Sequence, residues 1–304
     1  MRLLLIVNTS ASSVTARARV VIQKALSADH EVALKETNRR GHAARLAQGA
    51  AADGVDVVVV LGGDGTLNEA ANGLAGSRTA LAVLPGGSTN VFARTIGMSN
   101  DPIEATSQLL GALATGPAGR VGLGQANARY FLFHAGIGFD AAVIAQVEKL
   151  APLKRYLGPA LFVAATLLTW AHGYDRKQAR FHVSSEGFSE ASAAFAVCLN
   201  TDPYTFFGSR PMHLAKGTAL HTPLSLVTVD TLNLWALAPL VAATFADGPK
   251  TGQGRHVTVS VGVAQATVKS GQPLPYQLDG DFVGEAEQIE LRWAPDALSL
   301  VRPV

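Results

Sequence analysis

The stretch VDVVVVLGGDGTLNE, residues 55–69, decides the fold of the N-terminal half. Residues 55–61 are rich in β-branched side chains, as in a strand covered on both faces. Three glycines surround Asp64, and the apolar spacing from Leu67 onward predicts a helix directly after them. Glycines let phosphate oxygens approach backbone N–H groups at the positive end of a helix. The stretch therefore predicts a phosphate-binding turn between a buried strand and a helix.

The residues around this turn repeat the same alternation. Residues 3–7, 30–37 and 80–84 have strand character, and residues 14–28 and 43–52 have helical periodicity. This alternation predicts a parallel α/β layer, which we assign to a first domain of residues 1–122.

A second glycine loop follows the strand predicted at residues 80–84. It reads LPGGSTNVFAR over residues 84–94, and its Ser88, Thr89 and Asn90 are able to cap a helix or donate to a phosphate. Either loop alone is compatible with a structural turn. Two such loops after strands of one sheet favour a nucleotide site, because ligands of open α/β sheets bind at the carboxyl ends of the strands.

Asp64 narrows the chemistry of the site. A carboxylate repels a bare phosphate, so its position indicates a bridging metal ion or a role in polarising an attacking hydroxyl. A carboxylate inside a glycine turn has little evident structural purpose, which also favours a functional role. A Mg²⁺-bound nucleotide is the expected ligand, and the Walker motif is absent from the sequence.

The second half of the chain has a different pattern. Strand-like segments alternate with turns, and they predict an antiparallel β-sandwich over residues 123–304, with the last residues packing back on the first domain. The predicted strands are residues 130–135, 179–184, 193–200, 224–230, 256–261 and 264–269, and the predicted helices are residues 141–150, 160–171 and 234–245.

The segment GIGFDA, residues 136–141, formally satisfies a dinucleotide-binding fingerprint. That fingerprint expects an acidic residue about 20 positions further on, and residues 150–173 contain none. We interpret the glycines as a close-packed turn facing the cleft, with Asp140 as a substrate contact.

Charge, cysteine and histidine content and the N-terminal sequence argue against several functional classes. A formal net charge of +2 gives no broad field for nucleic-acid binding. The single cysteine, Cys198, lies in an apolar run and reads as a small buried side chain. The eight histidines show no paired metal spacing. The N-terminal apolar run lacks a charged leader, which predicts a protein that is not exported.

These motifs resemble the diacylglycerol kinase catalytic family, which includes sphingosine kinases and is related to NAD kinases. The resemblance rests on residues 62–69, 84–94 and 136–141 and on the Asp279-Gly280-Asp281 triplet. It implies an N-terminal α/β nucleotide domain, a C-terminal β-sandwich, and a cleft between them in which ATP meets a lipid hydroxyl. Phosphorylation of diacylglycerol is the implied activity, and ATP and Mg²⁺ are the implied cofactors.

The resemblance also assigns roles to individual residues. Asp64 organises the Mg²⁺-bound phosphates, and Asp281 is the general base. The implied ATP contacts are Asn8, Thr37, Gly62, Gly63, Asp64, Gly65, Thr66, Asn68 and Ser88, and the implied substrate contacts are Asn90 and Asp140. The Asp279-Gly280 pair is also a strong hairpin signal, and a turn is compatible with a catalytic role for Asp281.

Three departures from the family pattern stand out. The family has Asn-Pro-x-Ser-Gly after the first strand, where this chain has Asn8-Thr9-Ser10-Ala11-Ser12. The family base is more often glutamate than aspartate. Residues 214–226 contain no acidic residue, so we expect the structural magnesium site of several bacterial members to be missing.

A lipid substrate implies a protein in the cytoplasm, peripheral at the inner membrane face. Residues 149–180 contain an apolar stretch with basic flanks, which reads either as an interfacial helix or as a core helix with solvated ends. Two other functions stay open, a small-molecule kinase related to NAD kinase and a nucleotide- or lipid-binding protein without turnover. A homodimer is also open, because sequence does not decide the oligomeric state.

Overall fold

The computed structural model describes residues 1–116, 118–149, 164–173, 181–186 and 188–303. The chain divides into two compact units. The first contains Met1–Leu123 together with Pro295–Val304, and the second contains Gly124–Ala294.

The first unit is an α/β layer built on parallel strands. Its strands are β1 (Arg2–Val7), β2 (Glu31–Glu36), β3 (Val57–Gly62) and β4 (Ala80–Pro85), and its helices are α1 (Ala16–Leu26), α2 (His42–Ala52), α3 (Asp64–Leu74), α4 (Val91–Thr95) and α5 (Pro102–Thr115). The strand order is β2-β1-β3-β4, and each neighbouring pair is parallel. Strands β3 and β4 are buried along their whole length, as their continuous apolar runs predict.

The last strand of the chain completes this sheet. Strand β17 (Asp281–Leu300) begins in the second unit and ends in the first, where Ser299 and Leu300 pair in parallel with Ala80 and Leu81 of β4. Arg120 secures the same end by donating to the Asp296 carbonyl and, at 3.1 Å, to the Ser299 hydroxyl.

The second unit is built mainly from antiparallel strands. Its elements are β5 (Gly119–Ala126), which starts in the first unit, β6 (Arg129–Phe131), β7 (His134–Gly138), α6 (Phe139–Lys149), a π-helical turn (Thr169–Gly173), β8 (Phe181–Ser185), β9 (Phe188–Ala193), β10 (Phe195–Leu199), β11 (Thr205–Phe207), β12 (Arg210–Met212), β13 (Leu224–Val229), α7 (Leu234–Thr244), β14 (Gly252–Gln253), β15 (Val257–Val263), β16 (Gln265–Leu278) and the start of β17. The strands follow the order β14-β15-β13-β10-β7-β16-β17, and β11 and β12 form a separate hairpin.

The predicted fold class is confirmed, with an α/β unit followed by a sheet-rich antiparallel unit. Cys198 lies fully buried in β10, as its apolar surroundings predict. Helix α5 and the 20-residue strand β17 were not predicted. Of the helix predicted at residues 160–171, residues 164–168 are helical, and residues 160–163 lie outside the described residues.

Two predictions around residue 135 are wrong. The strand predicted over residues 130–135 is broken into β6 and β7, because the backbone N–H groups at the break turn toward the buried Asp279 carboxylate. Gly136 is not in a turn but inside β7, where it pairs with Val197 and Gln277. Only Gly138, with φ of 77°, turns the chain from β7 into α6.

Among the described residues, no helix has the combined length and apolar character needed to cross a membrane.

Candidate functional site

The carboxyl ends of the four parallel strands of the first unit carry the predicted phosphate contacts. Asn8 follows β1, Thr37 follows β2, and the two glycine loops follow β3 and β4. Strand β2 lies on one side of β1, and β3 and β4 lie on the other side, so the strand order reverses between β1 and β3. Open α/β sheets bind ligands at such a switch point. The Asn8 backbone N–H donates to the Leu61 carbonyl at 3.0 Å, so the ends of β1 and β3 are directly joined there.

The two glycine loops lie against each other. The Gly86 N–H donates to the Gly62 carbonyl at 2.9 Å. A Cβ atom added to Gly86 would lie 2.9 Å from the Gly62 nitrogen, and one added to Gly87 would lie 2.9 Å from the Gly63 Cα. Side chains are therefore excluded where the loops meet, and the loops present backbone beside the N-terminus of α3. This is the arrangement that phosphate oxygens need.

A Gly86→Ala substitution tests this close approach. The new methyl group would lie 2.7 Å from the Val14 Cγ2 atom and 2.9 Å from Gly62, so the loops have to move apart. We expect ATP affinity to fall by roughly tenfold or more, which corresponds to about 1.4 kcal/mol or more. Calorimetric titration with Mg²⁺-ATP measures this change. The matched control is Gly111→Ala on α5, where an added Cβ meets nothing within 4 Å. Equal ATP affinity in the two variants would contradict the prediction.

Asp64 clamps the two loops together. It stands in the first turn of α3, and its two carboxylate oxygens accept the N–H groups of Val91 and Phe92 at 3.0 and 3.1 Å. These are the first residues of α4, whose own N-cap residue, Asn90, makes no side-chain capping bond and has φ of 50°. Asp64 is thus a capping residue supplied by another helix. Asp64 therefore has a structural purpose, contrary to the prediction, and its catalytic role stays a prediction.

Four of the other predicted ATP contacts are at least partly exposed. Gly63, Gly65 and Thr66 are partly exposed at the start of α3, and Ser88 is exposed in the second loop. The Thr66 hydroxyl accepts a hydrogen bond from the Asn8 side-chain amide at 2.9 Å, which joins the first loop to the end of β1.

Two polar side chains predicted to contact ligand are buried instead. Asn68 has no exposed surface, and its Oδ1 lies 3.3 Å from the Asn72 amide nitrogen. Asn90 is 3% exposed, and its side chain bonds to both the N–H and the carbonyl of Gly87. Asn90 therefore shapes the second loop, and contact with a ligand stays a prediction for both residues.

The residues around the glycine loops suit a metal ion that binds as a complex with a nucleotide. Within the described part of the chain, no cluster of three or more His, Cys, Asp or Glu side chains could hold a metal ion. Asp64 is the carboxylate next to the glycine loops, and a carboxylate is the side-chain ligand that Mg²⁺ prefers. Mg²⁺ commonly binds through one carboxylate together with phosphates and water, so the residues fit a Mg²⁺-nucleotide.

The second unit positions Asp281 on a tight hairpin. Leu278 of β16 pairs with Asp281 of β17, and the two residues between them, Asp279 and Gly280, have φ of 51° and 81°. Positive φ at both central positions is the signature of a type I′ turn, which confirms the predicted hairpin. Asp281 itself is partly exposed at the first position of β17.

Asp279 anchors this turn from inside. It is 3% exposed, and its carboxylate accepts the N–H groups of Leu132, Phe133 and His134 at 2.7, 2.9 and 3.1 Å. Three bonds to one buried carboxylate give the negative charge the partners it needs. The first aspartate of the triplet is therefore structural.

A chain of polar side chains links Asp140 to the same turn. The Tyr204 hydroxyl donates to Asp140 Oδ1 at 2.6 Å, and the Gln277 amide donates to Asp140 Oδ2 at 2.8 Å. Gln277 in turn accepts the Gly280 N–H at 2.8 Å. Burial, and then the neighbouring Asp140 carboxylate, raise the pKa of Tyr204 well above its usual value, so the phenol remains a donor. Sequence reasoning found Asp140 but missed Tyr204 and Gln277, because they come from distant strands.

His134 lies beside this chain of hydrogen bonds. Its ring is 4.6 Å from the Tyr204 ring, it is 5% exposed, and its Nδ1 atom has no hydrogen-bond partner. Burial lowers the pKa of His134 to about 4, against an opposing pull from Asp140. The neutral imidazole is therefore the form that the fold accommodates.

Acid should destabilise the protein through His134. The unfolded chain takes up a proton near pH 6.5 and the folded protein only near pH 4, so stability falls as the pH drops across that interval. We expect His134 to account for a loss of about 3 kcal/mol over this window. Urea denaturation between pH 7 and pH 4 measures it, and His134→Gln should flatten the profile while the exposed His221→Gln should not. Identical profiles for wild type and His134→Gln would refute this assignment.

The sequence of the first unit is similar to that of a known protein family. The family model of the diacylglycerol kinase catalytic domain matches residues 2–121. A probable lipid kinase YegS-like from Chromohalobacter salexigens is 37% identical over 166 residues, which cover 53% of this chain and 51% of the relative. A diacylglycerol kinase from Bacillus subtilis is 38% identical over 120 residues, 39% of each chain. The matched parts thus span about half the length of these relatives, or less.

A solved structure extends the likeness in fold to the second unit. The crystal structure of a diacylglycerol kinase from Bacillus anthracis superposes with a TM-score of 0.72 at 18% identity, covering 99% of this chain and 96% of that chain. At this identity the likeness concerns the fold.

These findings show that the first unit is similar to the catalytic domain of diacylglycerol kinases.

Proposed function

We propose that this protein transfers the γ-phosphate of ATP to the hydroxyl group of a lipid, with diacylglycerol as substrate and phosphatidic acid as product. The observation that carries the proposal is the contact between the glycine loops after β3 and β4, which places bare backbone beside the N-terminus of α3. The match of residues 2–121 to the family model of the diacylglycerol kinase catalytic domain supports it.

The first unit supplies the charge stabilisation that phosphoryl transfer requires. The first-turn N–H groups of a helix lack acceptors within the helix, which makes the N-terminus of α3 suited to an anion such as a phosphate. The clamp from Asp64 to Val91 and Phe92 keeps the second loop in place while the phosphates bind. When bound, Mg²⁺ offsets phosphate charge, with Asp64 as the carboxylate able to hold it. Holding the groups in line and neutralising charge is most of what this reaction needs.

The second unit supplies the proposed general base. In the reaction the lipid hydroxyl oxygen bonds to the γ-phosphorus, the bond from that phosphorus to the ADP oxygen breaks, and the hydroxyl proton passes to Asp281. A carboxylate accepts this proton late, as the forming bond acidifies the hydroxyl. The turn that presents Asp281 is held from within by Asp279 and by Gln277, so the base has a defined position.

A phosphate-transfer panel tests the proposed function. Labelled ATP is offered with diacylglycerol, a sphingoid base, a polyprenol and NAD, each dispersed in the same detergent. We expect label in phosphatidic acid. Label in NAD alone would overturn the lipid assignment in favour of a small-molecule kinase, and no label from a folded preparation would favour a binding protein.

The same assay tests Asp281. Asp281→Asn removes the proton acceptor, and the matched control is Glu285→Gln, an exposed carboxylate on the same strand. We propose a loss of roughly a hundredfold or more in turnover for the first and none for the second. Equal activity in the two variants would remove Asp281 from the mechanism.

A further inference from the structure

Helix α7 (Leu234–Thr244) exposes an apolar face. The helix contains no charged residue, and it is apolar on both sides. Its inner side packs Leu237 and Leu240 into the core cluster around β13. On its outer side Trp235 is 89% exposed, Val241 51% and Leu234 44%. A helix on the surface of a water-soluble domain normally has a polar outer side. The apolar outer side of α7 is instead suited to contact with another apolar surface.

The exposed side extends beyond the helix. Phe245 follows α7 directly, is 44% exposed, and stacks edge-on against Phe207 of the β11–β12 hairpin at a ring distance of 6.2 Å. Phe207 is itself 50% exposed. We refer to Leu234, Trp235, Val241, Phe245 and Phe207 together as the α7 face. Five large apolar side chains at one surface are characteristic of an interaction site.

The edge of the α7 face is basic. Arg210 is the cross-strand partner of Phe207 and is exposed, and Lys250 is exposed shortly after Phe245. Residues 205–257 contain four Lys or Arg residues and two Asp residues. Asp247 pairs with Lys216, which leaves Arg210, Lys250 and Arg255 against Asp230 alone. The surface therefore complements negative charge.

A second apolar segment joins α7 at its start. Leu167 and Leu168, in the helical residues 164–168, are 52% and 48% exposed. The Trp170 indole N–H, in the π-helical turn that follows, donates to the Leu232 carbonyl at 2.7 Å, two residues before α7. These residues belong to the stretch 149–180 whose sequence allows an interfacial helix. The remainder of that stretch, apart from Lys149, lies outside the described residues.

The chemistry of the α7 face fits an anionic lipid surface. Aliphatic and aromatic side chains of an interfacial helix enter the boundary between acyl chains and headgroups, and tryptophan is favoured at that depth. Lysine and arginine at the edge attract anionic headgroups. A second copy of the chain fits less well, because a symmetric interface through this face would bring the same basic edge from both copies together.

We propose that the α7 face docks the protein onto the surface of a membrane containing anionic lipid. The assignment deepens the proposed function, since a diacylglycerol substrate resides in such a membrane, but docking requires neither ATP nor turnover. The two ideas are therefore separable by experiment.

Vesicle co-sedimentation of the full chain without nucleotide tests the docking surface. The vesicles contain phosphatidylglycerol and phosphatidylcholine. The variant is Trp235→Gln with Val241→Gln, both on exposed positions, and the matched control is Val20→Gln with Ile103→Gln, which are 46% and 42% exposed on helices of the first unit. We expect the partition coefficient to fall by roughly tenfold or more in the variant and to stay unchanged in the control.

Two further measurements keep the outcome clear. Brominated lipid should quench part of the wild-type tryptophan fluorescence, and the Trp235→Phe variant should lose that part. Equal vesicle binding by the variant and the control would overturn the docking surface. So would a variant that changes from dimer to monomer by light scattering while its vesicle binding is retained, because the face would then join two copies.

Comparing substrates separates docking from the proposed function. If both ideas hold, the α7-face variant loses activity on diacylglycerol in vesicles and keeps it on a short-chain, water-dispersed diacylglycerol. Normal vesicle binding by a wild-type protein that phosphorylates neither substrate refutes the function and leaves the docking surface standing. Unchanged vesicle binding by the variant, with normal turnover on both substrates, refutes the docking surface alone.

Discussion

Replacing Asp64 with asparagine is expected to lower phosphoryl transfer by roughly a hundredfold or more and the free energy of unfolding by about 1–2 kcal/mol. The carboxylate accepts N–H groups of α4 on both of its oxygens. An asparagine offers one acceptor oxygen and turns an NH₂ group toward the other N–H, so the clamp opens on one side. It also removes the negative charge that would help to hold Mg²⁺. Steady-state kinetics and urea denaturation of the same preparation measure the two effects.

A second carboxylate on the same helix provides the control. Glu69 of α3 accepts the N–H groups of Gly41 and Ala43 at 2.7 and 3.1 Å, and it caps α2 in the way that Asp64 caps α4. Glu69→Gln should therefore cost a similar stability, about 1 kcal/mol, and leave turnover near the wild-type value. If both variants lose activity in proportion to stability, Asp64 acts as a clamp alone.

Replacing Gly136 with alanine is expected to lower the free energy of unfolding by about 2–4 kcal/mol. The added Cβ would lie 1.7 Å from Asp140 Oδ2 and 2.5 Å from the Gln277 amide nitrogen. The Asp140 carboxylate has to leave its place, so its bonds to Gln277 and Tyr204 break. Because Gln277 also holds the Gly280 N–H, the turn that carries Asp281 loosens as well.

The matched control for Gly136 is Gly271→Ala in strand β16. Gly271 is exposed, and a Cβ added there meets nothing within 4 Å. Thermal and urea denaturation should place this variant within about 0.5 kcal/mol of wild type. A Gly136→Ala protein as stable as the control would show that the polar chain around Asp140 is not under steric constraint.

Much of the first unit could be predicted because its signals are local. The β-branched runs at β3 and β4 and the glycines after them specify strand, turn and helix from short-range preferences alone. Their contact was also predictable, because the carboxyl ends of parallel strands meet at one edge of a sheet. The type I′ turn at Asp279 and Gly280 follows from the same kind of local rule.

The partners of the polar side chains could not be predicted. Asp64 meets α4, Glu69 meets α2, and Asp279 meets the break between β6 and β7, each a contact between residues far apart in sequence. A lone carboxylate in a motif reads the same whether it binds a ligand or a helix N-terminus. The location of Gly136 inside a strand likewise depends on its neighbours β10 and β16.

By itself the sequence determined the alternation of strands and helices from β1 to β4, the two glycine loops and the resemblance of these motifs to the diacylglycerol kinase catalytic family, since these depend on backbone preferences and on motifs read along the chain. Only the tertiary structure decided which carboxylates accept hydrogen bonds from backbone N–H groups, and which apolar helix is exposed to solvent. The physical reason is that hydrogen bonding and burial are properties of the neighbours a residue acquires on folding. Asp64 and Trp235 show this directly, one by its two N–H partners and the other by its exposed ring.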